Sequence, residues 1–162
     1  ADPQTGLGPL VAQRQLDLLQ AQVADAVEKG ATVVVGGRAP AGLEGAYYEP
    51  TLLRDVTREM RVWKEEVFGP VLPIVSFGDE AEAVEMANDT RYGLGAYIFT
   101  EDRERVRRVA RQIRSGMVGH NAVSYMHVNN PFTGYGLSGG GREHAQFGFD
   151  EVSQIKIVSR EK

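Results

Sequence analysis

Glu65 and Glu66 stand side by side in KEEVFGP, and Phe68 follows two residues after the second. Two carboxylates could divide acid and base duties. Neighbours on an extended chain point to opposite sides, however, so this pair cannot easily serve one substrate atom, and at most one of them faces a site. Glu66 and Phe68 share a side. A carboxylate beside an aromatic ring suits a sugar with an attached base, because its oxygens accept hydroxyl hydrogen bonds while the ring packs. On spacing alone, a core phenylalanine beside a solvated glutamate is the competing and commoner reading.

Three other groups of residues invite chemistry. Gly134, Gly136 and Gly139 in GYGLSG match G-x-G-x-x-G, but Asn129, Asn130 and Pro131 precede them where a phosphate loop needs an apolar strand, and HAQFGF follows. A dinucleotide loop is not expected there. Arg103, Arg105, Arg107, Arg108, Arg111 and Arg114 crowd one stretch. They fill the faces that an apolar helical stripe leaves free, and the formal charge of the chain is -4. A solvated helix face therefore outweighs a nucleic-acid contact. His120, His127 and His144 are too widely spaced for a helical metal pair, and the chain has no cysteine to support them. No metal site is expected.

The elements that must carry these residues follow from periodicity. Leu16, Leu19, Val23, Ala26 and Val27, with Pro9 before them and Gly30 after, predict a helix over about 9–29. Thr32–Val35 reads as a buried strand, 38–46 as a loop, and 47–53 as a second strand interrupted by Pro50. A regular run begins at Val71, with a strand to Phe77 and a helix opened by Asp79, which has Glu82 three residues on. A strand over 95–100, a helix from Asp102 and a strand over 117–121 complete it. This β-α-β-α-β core predicts an α/β fold with a mostly parallel sheet and flanking helices, since parallel strands need long crossovers. A long Gly-rich loop over 122–150 and a C-terminal strand over 151–159 follow, with Ile155 and Ile157 on one face of that strand.

The length of 162 residues and a 42% hydrophobic content fit an ordinary globular chain. The absence of cysteine excludes disulfides, thiolate metal sites and any cysteine nucleophile supplied by this chain. No apolar run approaches the roughly 18 residues of a membrane span, and residues 1–20 lack a signal-peptide pattern, so a soluble, cytoplasmic protein is expected. The chain opens at Ala1 in ADPQTGLGPL, without a methionine, as if a preceding segment had been removed.

Four separated stretches together resemble the C-terminal third of NAD(P)-dependent aldehyde dehydrogenases. They are DPQTGLGPLV at 2–11, EEVFGPVLPI at 65–74, NDTRYGLGAYIFT at 88–100 and PFTGYGLSGGGRE at 131–143. The resemblance implies that Glu66 binds the nicotinamide ribose of NAD or NADP and that Phe68 packs near the nicotinamide. It implies that Phe132 lines the substrate funnel, with Tyr125, Met126 and His127 in the loop that varies with substrate. Thr133 stands where the family motif has glycine. Tyr125, Met126 and Phe132 favour a carbon-rich or aromatic aldehyde over a charged semialdehyde.

The resemblance also implies a division into 1–150, part of the catalytic domain, and 151–162, a tail for homo-oligomer contacts through Ile155 and Ile157. The family reaction needs a cysteine nucleophile and a glutamate base that both precede the DPQTGLGPL segment. Neither is in this chain, so it contributes no catalytic residue and is expected to be inactive alone. Aldehyde is the expected substrate, with neither nucleic acid nor membrane as partner. The alternative is a non-catalytic oligomerisation or binding module.

Overall fold

The computed structural model describes residues 4–123 and 127–161. It divides into two compact units, one up to Ser76 and one from Phe77 onward.

In the first unit, helix α1 (Gln13–Glu28) precedes strands β1 (Thr32–Val35) and β2 (Thr51–Arg54), a single turn α2 (Arg61–Lys64) and strand β3 (Val71–Pro73). The stripe Leu16, Leu19, Val23 and Ala26 is buried, and it forms one core with Tyr48, Leu53, Val56, Met60, Val62 and Val71. Helix α1 stops where expected: Gly30 has φ 101°, and the amides of Gly30 and Ala31 donate back to the carbonyls of Val27 and Ala26. Its start lies later than Pro9 predicts. The Leu10 amide donates to the Ala46 carbonyl at 2.7 Å, so residues just after Pro9 serve a tertiary contact, and Ala12 caps the helix in an extended conformation.

The sheet of this unit has the order β1-β2-β3, antiparallel between β1 and β2 and parallel between β2 and β3. Positive φ at Gly36, Gly37, Gly42 and Gly45 lets the connection reverse direction between β1 and β2. Strand β3 is shorter than expected: its ladder with β2 ends on the bond from the Ile74 amide to the Leu53 carbonyl at 2.7 Å, and Asp55, just past β2, has φ 60°. It pairs with β2 through Thr51↔Val71 rather than continuing into the later strands.

The second unit holds α3 (Glu80–Asn88), β4 (Gly95–Ile98), α4 (Arg103–Ala110), β5 (Met117–His120), a short 3-10 turn and α5 (Ala145–Glu151). Strands β4 and β5 are parallel, joined by the α4 crossover. The cap expected at Asp79 forms, and Asp102 caps the helix that follows it in the same way. Asp79 accepts from the Glu82 amide at 2.9 Å, and Asp102 accepts from the amides of Glu104 and Arg105 at 3.0 Å.

The fold is therefore mixed α/β as expected, with two of the three strand pairings parallel among the described residues, but divided between two small sheets. The C-terminal strand does not form within the single chain. Glu151 closes α5, and residues 152–161 carry no strand, because no strand of this chain pairs with them among the described residues. Among those residues no helix is long and apolar enough to cross a membrane.

Candidate functional site

Residues 65–69 are laid along α1. Gln15, Leu19 and Gln22, at positions i, i+4 and i+7, share one helix face. A Cβ on Gly69 would come within 2.8 Å of the Leu19 side chain, so glycine permits the close approach. The Gln15 amide donates to the Phe68 carbonyl at 3.0 Å, and the Gln22 amide donates to the Glu66 carbonyl at 3.3 Å.

The two adjacent carboxylates have opposite fates. Glu65 accepts a forked pair from the Arg61 guanidinium at 2.8 and 2.9 Å and a third bond from Gln22 at 3.0 Å. The Arg61 bonds, then the Gln22 bond, hold its carboxyl below the ordinary value of 4.5. Arg61 is anchored in turn by its own amide, which donates to Asp25 at 2.8 Å. The Lys29 bond first, then the Arg61 amide, lower the Asp25 carboxyl as well. Glu66 is exposed, and its carboxylate has no hydrogen bond or ion pair among the described residues. Phe68 is 67% exposed, far from the core position that spacing alone allowed. The ring borders a cleft of about 400 Å³ with Leu7, Leu10, Tyr48 and Pro70.

Phe132 belongs to the second unit. It forms an antiparallel bridge with Glu143 through two bonds of 2.9 Å, and its ring tilts against His144, with centroids 6.1 Å apart. Phe132 also borders a cleft of about 330 Å³ with Leu94, Ser138 and Arg142. Tyr125 and Met126 lie outside the described residues. His127 is exposed and accepts from the Asn129 amide through Nδ1 at 3.2 Å.

The glycine motif has a packing role. Leu137 donates to the Arg91 carbonyl at 2.8 Å, Tyr135 donates to the Gly93 carbonyl at 3.0 Å, and the Ser138 hydroxyl accepts from the Gly93 amide at 3.1 Å. GYGLSG is thus zipped onto RYGL. Side chains at Gly93, Gly116 or Gly136 would collide with backbone carbonyls of Arg114, Thr133 and Arg91 respectively. The arginines of α4 are engaged locally too. Arg108 forks onto Glu80 at 2.6 and 2.8 Å, Arg105 reaches Glu80 at 3.4 Å, and Arg107 pairs with Glu104 at 2.7 Å. No group of three or more His, Cys, Asp and Glu able to hold a metal occurs among the described residues.

The supports of this site carry weaker signals in the sequence. Gln22 is only 1% exposed, inside a stripe otherwise filled by Leu16, Leu19, Val23 and Ala26. A polar residue on the apolar face was the available signal. His144 gave none.

The profile of the aldehyde dehydrogenase family matches residues 1–158. An NADP(+) succinate-semialdehyde dehydrogenase of Deinococcus radiodurans is 46% identical over 158 residues, which are 98% of this chain and 33% of that protein. The crystal structure of succinate-semialdehyde dehydrogenase from Burkholderia pseudomallei superposes with a TM-score of 0.89 at 41% identity, over 93% of this chain and 31% of that one. A Mycobacterium tuberculosis aldehyde dehydrogenase complexed with NAD+ gives 0.90 at 37% identity, over 94% and 32% respectively. The chain thus spans about a third of the length of these relatives. Its sequence, over nearly every residue, and its fold identify it as a member of the aldehyde dehydrogenase family.

Proposed function

We propose that these residues serve an enzyme that oxidises an aldehyde to a carboxylic acid with NAD or NADP, through a thioester on a cysteine that this chain does not contain. The observation that carries this reading is the sorting of the two glutamates. Glu65 is locked against Arg61 and Gln22, whereas the Glu66 carboxylate has no partner among the described residues and lies on the exposed side that it shares with Phe68. An open carboxylate fits the paired hydroxyls of a ribose, and a bare ring fits a flat heterocycle. Glu66 and Phe68 would hold the nicotinamide end, and the bound cofactor supplies a hydride acceptor.

Phe132 lines the aldehyde funnel in this reading, together with Tyr125 and Met126. The residues of this chain bind and orient; the bond to carbon is made elsewhere in the enzyme. The 162 residues alone turn over no aldehyde, since they have no cysteine. The tail from 151 to 162 meets a second copy. Ile155 and Ile157, 93% and 88% exposed, favour that contact, because alternating β-branched residues left bare are suited to adding a strand to a partner's sheet.

The test joins this chain to the upstream two thirds of the Deinococcus radiodurans relative and follows reduced cofactor with an aldehyde present. The chimera is expected to be active and the isolated chain inactive. Glu66→Gln in the chimera should raise the cofactor KM by about tenfold, the loss of a charge-assisted hydrogen bond. Turnover by the isolated chain, or an unchanged cofactor KM in the Glu66 variant, would overturn the reading.

A further inference from the structure

Gln22 is almost completely buried in the hydrophobic stripe of α1, and its bonding is lopsided. Its Nε2 faces two acceptors, Glu65 Oε2 at 3.0 Å and the Glu66 carbonyl at 3.3 Å. Both neighbours can only accept, so the amide nitrogen must point at them and the side-chain orientation is chemically determined. The consequence is that Oε1 is left buried with no hydrogen-bond partner among the described residues. Burying an amide oxygen unpaired is unfavourable, and an apolar residue like its neighbours Leu19 and Val23 would leave no such oxygen in the stripe. Packing of the apolar stripe alone does not account for a glutamine here, and its two bonds to residues 65 and 66 are what distinguish it from a leucine.

Its contacts fall on the two consecutive residues at which the chain must choose an outward carboxylate. By holding the side chain of Glu65 and the main chain of Glu66 with one amide, Gln22 turns the first carboxylate in and the second out. Arg61 completes the lock on Glu65 by forking onto both of its oxygens, and Gln15 fixes the next outward residue through the Phe68 carbonyl. We propose that Gln22 is a positioning residue, acting through Glu66 to set the cofactor-facing geometry of the Glu66–Phe68 segment. This rests on the reading of Glu66 as a ribose ligand.

The experiment is a double-mutant cycle in the active chimera. Gln22→Leu keeps the volume and removes the amide; Gln22→Met serves if the leucine variant melts before the assay temperature. The expected result is a cofactor KM raised severalfold and at most by the roughly tenfold that Glu66→Gln itself produces, with the aldehyde KM unchanged. On a Glu66→Gln background the same change should add nothing, because the group it positions is already disabled. A merely structural role would instead lower activity equally on both backgrounds, and effects that multiply would overturn the proposal. A raised KM in Glu66→Gln beside an unchanged KM in Gln22→Leu overturns the role of Gln22 alone. An unchanged KM in Glu66→Gln overturns the site reading and the role of Gln22 with it.

Discussion

Gly116→Ala puts the packing of the glycine-rich loop to a quantitative test. A methyl at Gly116 would sit 2.5 Å from the Thr133 carbonyl carbon and 2.9 Å from the Gly134 nitrogen. Both are backbone atoms, so no side-chain rotation relieves the overlap. Reaching the ordinary contact distance of 3.4 Å requires the Thr133 carbonyl carbon to retreat by about 0.9 Å, and its oxygen, which is nearer still, by more. The loop is tied to the same place by the Tyr135 amide, which donates to the Gly93 carbonyl at 3.0 Å, and Gly116 donates to that carbonyl at 2.9 Å. A retreat of that size stretches the Tyr135 bond beyond hydrogen-bonding range. One or two lost backbone bonds with unsatisfied groups, plus residual overlap, come to about 2–4 kcal/mol. For a unit of this size that corresponds to a Tm lower by roughly 10 °C or more. Thermal unfolding followed by circular dichroism measures it. Gly140→Ala is the control, because a methyl there meets nothing within 4 Å, and it should change stability by less than about 0.5 kcal/mol. A Gly116 variant that melts within a few degrees of its Gly140 counterpart would refute the packing argument.

Four further outcomes follow from the same contacts. His144 has φ 62° and ψ 164°, a region suited to glycine, so His144→Gly should relieve roughly 1–3 kcal/mol of strain against about 0.5–1 kcal/mol of lost contact with Phe132. A higher Tm is expected, and a lower one would mean that the ring contact dominates. Leu19→Ala, at a fully buried position, should cost about 2–5 kcal/mol in urea unfolding. The Glu65 carboxyl is depressed in the folded chain, so its contribution is complete above the ordinary value of 4.5 and is lost as pH falls through the lower folded value. Glu65→Gln should therefore flatten the acid side of a Tm-versus-pH curve, and an unaltered curve would contradict the Arg61 pairing. Finally, Arg105, Arg107 and Arg108 of α4 are occupied by Glu80 and Glu104 in an acidic chain, so retention on DNA-cellulose at low salt is not expected.

Elements whose causes lie within a few residues were legible in advance. Asp79 and Asp102 cap the amides that follow them, and Gly30 ends α1 through its own positive φ. Helix α5 was not, because Gly148 interrupts it and a glycine-rich surrounding reads as loop. The pairing of β3 was not legible either. Its parallel partner is β2, and nothing in VLP distinguishes that neighbour from another strand. The glycines of GYGLSG looked like a nucleotide loop because the same permissive residue serves any close backbone approach, whether to a phosphate or to the Arg91 carbonyl.

By itself the sequence determined the residue types, the helical and extended stretches, and the rule that only one of Glu65 and Glu66 can face a site. Which one faces out was decided by tertiary structure. Gln22 lies 43 residues before Glu65 and is brought to it by the packing of α1 against the 65–69 segment. Period-two geometry offers two equivalent orientations, and only a distant partner with its own charge and hydrogen bonds breaks that tie.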